Sequence, residues 1–189
     1  AGGPAGSTSA RLIAAGIPQV EAWIDLPLVR GMITGELEPA VFRHYLEQDF
    51  LYVRSYVRLY AKLAAGAPDD HVEGLVRLAW NLVDTELDAH RALGEHFGCD
   101  FDRAEPTDIC QRYVDFLLDA ADDFGEGLVA ALPCIWGYGL LARSLPRPIA
   151  ERYQPWADVY DSARYEAAVR SHCALIDAAR PDPGQASAL

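Results

Sequence analysis

Cys134 and Tyr138 are the residues best placed for covalent chemistry, because they lie four residues apart on one face of an apolar helical segment. Pro133 precedes the cysteine, and a proline inside a helix removes one backbone hydrogen bond and favours a kink. A thiol beside a phenol in an apolar wall suits a covalent mechanism. The alternative is a cysteine that only packs, since free cysteine is among the most buried residue types.

A carboxylate within a row of tyrosines is the second candidate for chemistry. Asp49 shares one helical face with four tyrosines at steps of three or four residues, namely Tyr45, Tyr52, Tyr56 and Tyr60. An inward carboxylate needs hydrogen-bond partners, and tyrosines supply both hydroxyl groups and flat surfaces for a ring-shaped ligand. The pattern leaves two interpretations open: a ligand contact, or a structural network closed by the tyrosine hydroxyls.

The elements that must position these residues have helical periodicity, and no segment is typical of a strand. We expect Asp49 on a helix over residues 39–66 and Cys134 on a helix over 124–144. Further helices are expected over 10–17, 69–97, 107–121 and, in segments, 149–180, with irregular helical structure over 18–32. The sequence predicts one all-α domain, residues 10–189, with long and mostly antiparallel helices. We expect residues 1–9 to form a disordered tail.

The composition restricts the class of protein. A chain of 189 residues with 51% hydrophobic residues fits one globular domain. The net charge of −12 argues against nucleic acid or an anionic membrane as a partner, and no uninterrupted apolar run approaches the roughly 18 residues of a membrane span. Four cysteines without a C-x-x-C pair favour a reducing cytoplasm. We expect a cytoplasmic protein without a bound metal or cofactor.

Four segments resemble the TenA/thiaminase II family, in the order the family has them. Residues 42–52 read F-R-H-Y-L-E-Q-D-F-L-Y and resemble its signature F-x-x-Y-L-x-Q-D-x-x-Y. Residues 132–138 read L-P-C-I-W-G-Y and resemble its L-P-C-x-W-x-Y. Weaker matches are Pro106-Thr107 with the segment after Tyr113, and Y-Q-P-W-A-D-V-Y at 153–160. Cys134 places the chain with the cysteine-containing branch of the family.

This resemblance implies a haem-oxygenase-like all-α fold without haem, often assembled as a homotetramer. It implies an aminopyrimidine aminohydrolase of thiamin salvage, which converts 4-amino-5-aminomethyl-2-methylpyrimidine and water into the hydroxymethyl pyrimidine and ammonia. Some members also cleave thiamin. A non-catalytic protein that binds a pyrimidine or thiamin-related ligand is the alternative that turnover would distinguish.

The resemblance also implies roles for six residues. Cys134 would be the nucleophile that adds to the pyrimidine ring, and Asp49 would hold the ring amidine by hydrogen bonds. Tyr160 would orient a catalytic group. Tyr52 and Tyr113 would line or stack on the ring, and Tyr138 would line the site. The family's final helix supplies a glutamate that exchanges protons; we expect that helix not to be present in residues 10–189, so no residue is matched to it.

A second enzyme class is suggested by two residues at helical spacing. Glu86 and His90 lie at i and i+4, with His172 on a later helix. Related haem-oxygenase-like proteins use such groups to hold two metals in a dimetal oxidase, although the simpler interpretation is a pair on a helix surface. Cys99, Cys110 and Cys173 are interpreted as structural, and three tryptophans as core residues: Trp80, Trp136 and Trp156.

Overall fold

The protein is described by a computed structural model over residues 3–179. Within that range, nine α-helices carry most of the chain: α1 (Thr8–Ala22), α2 (Pro27–Thr34), α3 (Pro39–Gly66), α4 (Asp69–Asn81), α5 (Asp88–Phe97), α6 (Asp108–Ala120), α7 (Phe124–Ser144), α8 (Gln154–Tyr160) and α9 (Ala163–Ala179). Short 3₁₀ turns cover Trp23–Asp25 and Glu151–Tyr153, and a π-helical segment covers Leu82–Leu87. The described residues contain no strand, so the predicted all-α fold is confirmed.

Helix α3 is the central element of the bundle, because it packs against α4, α5, α6 and α7. It begins at Pro39, where the missing N–H of proline leaves no additional group unsatisfied. Its buried face carries both aromatic and aliphatic side chains, among them Phe42, Leu46, Tyr56, Leu59, Tyr60 and Leu63. A single acidic side chain, Asp49, is buried on the same helix, so α3 delivers a carboxylate to the bundle interior.

Helix α7 supplies the apolar half of the core. Its length and hydropathy would suffice for a membrane span, but 61% of its most apolar window is buried inside the bundle, as for the core helix of a globular protein. Pro133 lies inside this helix. Side chains from two other helices bond carbonyls in the turns that precede it: the Tyr56 hydroxyl donates to the Ala131 oxygen, and His172 Nε2 donates to the Leu128 oxygen at 2.8 Å.

Local capping explains several helix boundaries. The Thr107 hydroxyl accepts a hydrogen bond from the Cys110 N–H, as the sequence predicts for an N-cap. The Asp123 carboxylate accepts from the Glu126 N–H at 2.9 Å and starts α7. Gly35 and Gly98 end α2 and α5 in the left-handed region, with φ of 80° and 70°, where glycine avoids the steric cost of a side chain.

Three expectations about the elements were wrong in detail. The first helix runs over Thr8–Ala22 rather than 10–17, and Ser9, placed in the predicted tail, is buried with its N–H and hydroxyl donating to Asp177 on α9. The predicted helix 69–97 is interrupted by the π-helical segment. Trp80, expected in the core, is 62% exposed, whereas Trp136 and Trp156 are buried as expected.

Candidate active site

One cavity of about 530 Å³ brings together five of the six predicted site residues: Asp49, Tyr52, Tyr113, Cys134 and Tyr138. Helices α3, α6 and α7 supply these side chains. The remaining wall is largely apolar and comes mainly from Trp23, Leu26, Leu28, Val29, Met32, Ile109, Leu141 and Trp156. An apolar cavity with few polar groups is typical of a small-molecule site.

Tyr160 does not line this cavity and lies behind it. Its ring packs against Tyr138 and Trp156, with centroids 4.9 Å and 5.2 Å away. The structure therefore places Tyr160 in contact with two lining residues and outside the cavity lining, and its role stays a prediction.

A parallel aromatic wall forms one side of the cavity. The rings of Tyr52 and Tyr113 are 5.3 Å apart between centroids and 5° from parallel, and Phe116 continues the row from Tyr113 at 6.2 Å and 9°. Within residues 3–179, the buried Tyr52 hydroxyl has no hydrogen-bond partner. A wall of this shape suits a flat heteroaromatic ring, and the Tyr52 hydroxyl remains available to a polar ligand atom.

Asp49 is fixed from two sides through the same oxygen. The Tyr45 hydroxyl donates to Asp49 Oδ2 at 3.0 Å, and His90 Nε2 lies 2.8 Å from that atom. Trp156 Nε1 in turn donates to the Tyr45 oxygen at 3.0 Å. Burial and then the negative charge of Asp49 raise the pKa of Tyr45, so its hydroxyl stays protonated and acts as a donor.

His90 is a buried partner of Asp49 that the sequence analysis did not predict. It is 3% exposed, and its Nδ1 lies 2.6 Å from the Glu86 carbonyl oxygen. Burial lowers the pKa of His90, but the hydrogen bond and charge of Asp49 more than offset this, and the net pKa is raised. The interpretation of Glu86 and His90 as a surface pair was therefore wrong, because both side chains are buried.

Cys134 is half-buried on the cavity wall next to Pro133. Burial raises the pKa of its thiol well above the ordinary value, and the negative charges of Glu86 and Asp49 raise it further. The neighbouring Tyr52 hydroxyl, which no other group engages within residues 3–179, acts in the opposite direction on this pKa, because it can donate a hydrogen bond to the sulfur once the sulfur is ionised. At neutral pH the sulfur is thus a thiol, and it needs a proton acceptor before it can act as a nucleophile.

Glu86 is a buried carboxyl group close to this chemistry. It belongs to the π-helical segment and is 6% exposed. Burial raises its pKa to about 8, with the charge of Asp49 adding to the shift and that of His90 opposing it. Glu86 is therefore mainly protonated at neutral pH, and its carboxyl group can exchange a proton in the pH range where enzymes work. Segments of π-helix occur often at functional sites.

The residues considered for a dimetal site do not converge. His172 bonds the Tyr60 hydroxyl through Nδ1 and the Leu128 carbonyl through Nε2, both at 2.8 Å, and it does not join His90. Over residues 3–179, no three His, Cys, Asp or Glu side chains are grouped to hold a metal ion.

Of the other three cysteines, one lines the cavity and two lie outside it. Cys110 lines the cavity, which the sequence analysis did not anticipate, and its thiol donates to the Gln48 carbonyl at 3.7 Å. Cys99 is half-buried outside the cavity and donates to the Arg43 carbonyl at 3.7 Å. Cys173 is buried.

Comparison with known proteins identifies a matching family and several relatives with names from thiamine metabolism. The sequence model of the TENA/THI-4/PQQC family matches residues 18–182. The aminopyrimidine aminohydrolase of Halalkalibacterium halodurans is 27% identical over 159 residues, which is 79% of this chain and 71% of that protein. The thiamine biosynthesis multifunctional protein ThiED of Corynebacterium efficiens is 29% identical over 85% of this chain, but this chain spans 22% of ThiED.

Solved structures agree with the sequence comparison. The TenA homologue from P. horikoshii OT3 superposes with a TM-score of 0.83 at 25% identity, covering 95% of this chain and 89% of that one. The predicted haem-oxygenase-like helical fold is therefore confirmed.

Proposed function

The chain belongs to the TENA/THI-4/PQQC family, and on this premise we propose that it is an aminopyrimidine aminohydrolase of thiamin salvage. The observation that carries the proposal is the convergence of Asp49 and Cys134 on one apolar cavity with a parallel aromatic wall. Relatives named aminopyrimidine aminohydrolase support the same assignment.

Substrate binding in this proposal uses shape and one carboxylate. The pyrimidine ring lies against the wall formed by Tyr52 and Tyr113. Asp49 accepts hydrogen bonds from the amidine edge of the ring, which polarises the ring towards nucleophilic attack. Tyr138 lines the site beside Tyr45 of α3, and Tyr160 holds Tyr138 in place through ring packing.

The chemical step in this proposal uses the Cys134 sulfur as the nucleophile. The sulfur loses its proton and adds to a ring carbon, which breaks the aromaticity of the ring. The 5-aminomethyl group then loses its amine, which takes up a proton and leaves as ammonia. Water adds to the resulting exocyclic methylene carbon, and the sulfur departs as the ring becomes aromatic again. The cysteine replaces one difficult displacement by several easier steps.

The test is ammonia release from 4-amino-5-aminomethyl-2-methylpyrimidine by wild type, Cys134→Ser and Cys134→Ala. We expect both variants to lose at least about 1000-fold in turnover while keeping the helical circular-dichroism spectrum. Cys99→Ser is the matched control, because Cys99 is also half-buried but lies outside the cavity. Wild-type turnover in Cys134→Ser would contradict the nucleophile assignment. Pyrimidine binding without ammonia release by wild type would indicate a binding protein instead.

Assembly and location are part of the same proposal. Exposed apolar side chains on α6, with Ile109 at 74% and Phe116 at 38%, are suited to burial between subunits. We propose a homo-oligomer, most simply a tetramer, and a cytoplasmic location that keeps the four cysteines reduced. Light scattering coupled to gel filtration measures the mass of the assembly, and this mass decides between tetramer and dimer.

A further inference from the structure

The hydrogen bonds of His90 fix where its protons lie. Nδ1 is 2.6 Å from the Glu86 carbonyl oxygen, which can only accept, so Nδ1 carries a hydrogen. Nε2 is 2.8 Å from Asp49 Oδ2, and a proton must also lie between these two atoms. Since both partners are buried, an imidazolium facing a carboxylate satisfies both ring nitrogens of His90 and the Oδ2 atom of Asp49.

The two oxygens of Asp49 are used differently. Oδ2 receives both Tyr45 and His90, whereas no hydrogen bond within residues 3–179 involves Oδ1. Asp49 also lines the cavity. The pair of donors on Oδ2 therefore fixes the plane of the carboxylate and leaves Oδ1 as the oxygen available to a ligand.

We propose that His90 is a positioning residue: as an imidazolium it keeps Asp49 ionised and oriented, with Oδ1 free for the amidine edge of a pyrimidine. This rests on the proposed function for the identity of the ligand. Deprotonated Nε2 would present a lone pair to the carboxylate, so Asp49 would shift or take up a proton, and the acceptor for the ring would be lost.

Other titratable groups surround the pair and must be considered in any pH measurement. Glu86 lies on the same helical stretch as His90, and its pKa of about 8 is set chiefly by burial. The groups facing Asp49 come from four further helices and comprise Tyr45 on α3, Cys110 on α6, Cys134 and Tyr138 on α7, and Tyr160 on α8.

Two variants at one position separate the hydrogen bond from the charge. His90→Gln keeps an N–H donor at about the position of Nε2 but carries no charge. His90→Asn keeps a donor at the reach of Nδ1 and loses the one facing Asp49. We expect kcat/KM and pyrimidine affinity to fall about 10-fold in His90→Gln and about 100-fold in His90→Asn, as for partners that orient a ligand-binding group. His96→Gln, on the exposed face of the same helix, is the control and should match wild type.

The pH profile identifies the positioning role. Wild-type pyrimidine affinity should decrease as pH rises through the pKa of His90, and the His90→Gln profile should lack this decrease because no group at position 90 titrates. A residue that only supported the fold would lower the yield of folded protein without changing the profile. Wild-type affinity and profile in His90→Gln would overturn the proposal.

A measurement that does not need substrate keeps this proposal separate from the proposed function. Nitrogen-15 NMR of the histidine rings reports the protonation of each nitrogen, and His90→Gln assigns the signal. We expect both nitrogens of His90 to be protonated at pH 7, and Nε2 to lose its proton in Asp49→Asn. A neutral His90 at pH 7 overturns the proposal even if ammonia is released. An imidazolium that depends on Asp49 supports it even if the substrate proves to be a different pyrimidine.

Discussion

Two buried histidines in this bundle have pKa values shifted in opposite directions, although their settings are alike in one respect. Each uses one ring nitrogen to bond a helix carbonyl, Glu86 for His90 and Leu128 for His172. The second nitrogen meets a carboxylate in one case and the Tyr60 phenol in the other. The pKa of His90 is raised by Asp49, whereas burial lowers the pKa of His172 to about 4. Because burial lowers the pKa of both histidines, the neighbouring groups set the direction of the net shift, and Asp49 makes the largest raising contribution at His90.

The two histidines should also change stability in opposite directions with pH. The raised pKa of His90 stabilises the folded state below its unfolded pKa near 6.5, and this contribution is lost as pH rises through the folded pKa. The lowered pKa of His172 has the reverse effect. As pH falls from about 6.5 to about 4, His172 is protonated in the unfolded chain but not in the folded chain, so the free energy of unfolding decreases. The surroundings of His90 and of His172 thus make opposite contributions to stability as the pH falls.

The largest effect is expected from Asp49→Ala, which should lower the pKa of His90, as burial lowers that of His172. Without the carboxylate, the two largest contributions that raise the pKa of His90 are lost and only the smaller ones from Glu86 oppose burial, so we expect this pKa to fall below the ordinary value. Pyrimidine affinity should fall on the order of 1000-fold, or about 4 kcal/mol, because the ring loses its ionised acceptor and the buried donors of Tyr45 and His90 lose their partner. Calorimetric titration and histidine NMR measure these changes, with the His172 signals as an internal reference. A pKa of His90 that remained raised would mean that Asp49 is not its controlling partner.

His172→Ala should affect stability and not binding. The change opens a cavity and leaves the Tyr60 hydroxyl and the Leu128 carbonyl unpaired, so the free energy of unfolding should fall by about 3 kcal/mol. Urea unfolding measures this loss, and affinity per folded molecule should stay within about twofold of wild type. His172→Gln keeps a hydrogen-bond donor and an acceptor, so its free energy of unfolding should fall by less than that of His172→Ala. An affinity loss larger than the stability loss would show that both histidines belong to one functional network.

Glu86→Gln tests the carboxyl group that lies beside the charged histidine. The folded protein holds a proton on Glu86 up to about pH 8, whereas the unfolded chain releases it near 4.5. As pH rises from 5 to 7, the wild-type free energy of unfolding should therefore fall by about 2 kcal/mol relative to that of the variant, because the unfolded state binds fewer protons than the folded state. Chemical unfolding at several pH values provides the comparison. Parallel stability curves for the two proteins would mean that Glu86 ionises normally in the folded state.

Tyr45→Phe should have the smallest effect. Asp49 Oδ2 would lose one of its two donors and Trp156 Nε1 would lose its acceptor, while His90 would still hold the carboxylate. A single neutral donor is worth about 1 kcal/mol, so we expect KM for the pyrimidine to rise about fivefold with little change in kcat. A loss as large as that of His90→Asn would indicate that the hydroxyl, and not the imidazolium, controls Asp49.

The long helices and the family could be predicted from the sequence because their signals are local. Pro39 and Thr107 mark helix starts within a few residues, and the structure begins α3 and α6 as expected. The motifs around Asp49 and Cys134 are contiguous, so they identified the family without knowledge of the fold. The structure places both residues in the same cavity, while their catalytic roles remain predictions.

The partners of these residues could not be predicted because they come from distant parts of the chain. His90 is 41 residues from Asp49, and its spacing from Glu86 equally fits an exposed pair. The tyrosine row on α3 also divides in a way that spacing does not reveal. Tyr45 bonds Asp49, whereas Tyr56 and Tyr60 bond the Ala131 carbonyl and His172. The signal that could have identified His90 is a buried carboxylate in need of a cationic partner.

The π-helical segment between α4 and α5 determines which side of α5 faces the interior. A π turn contains more residues than an α turn, so one extra residue rotates everything after it by about 100° around the helix axis. Deleting one residue from Leu82–Leu87 would restore the α-helical repeat and direct Glu86 or His90 away from Asp49 without changing either side chain. An insertion or deletion of a single amino acid could therefore abolish or create the contact between His90 and Asp49, although neither of these residues is itself substituted.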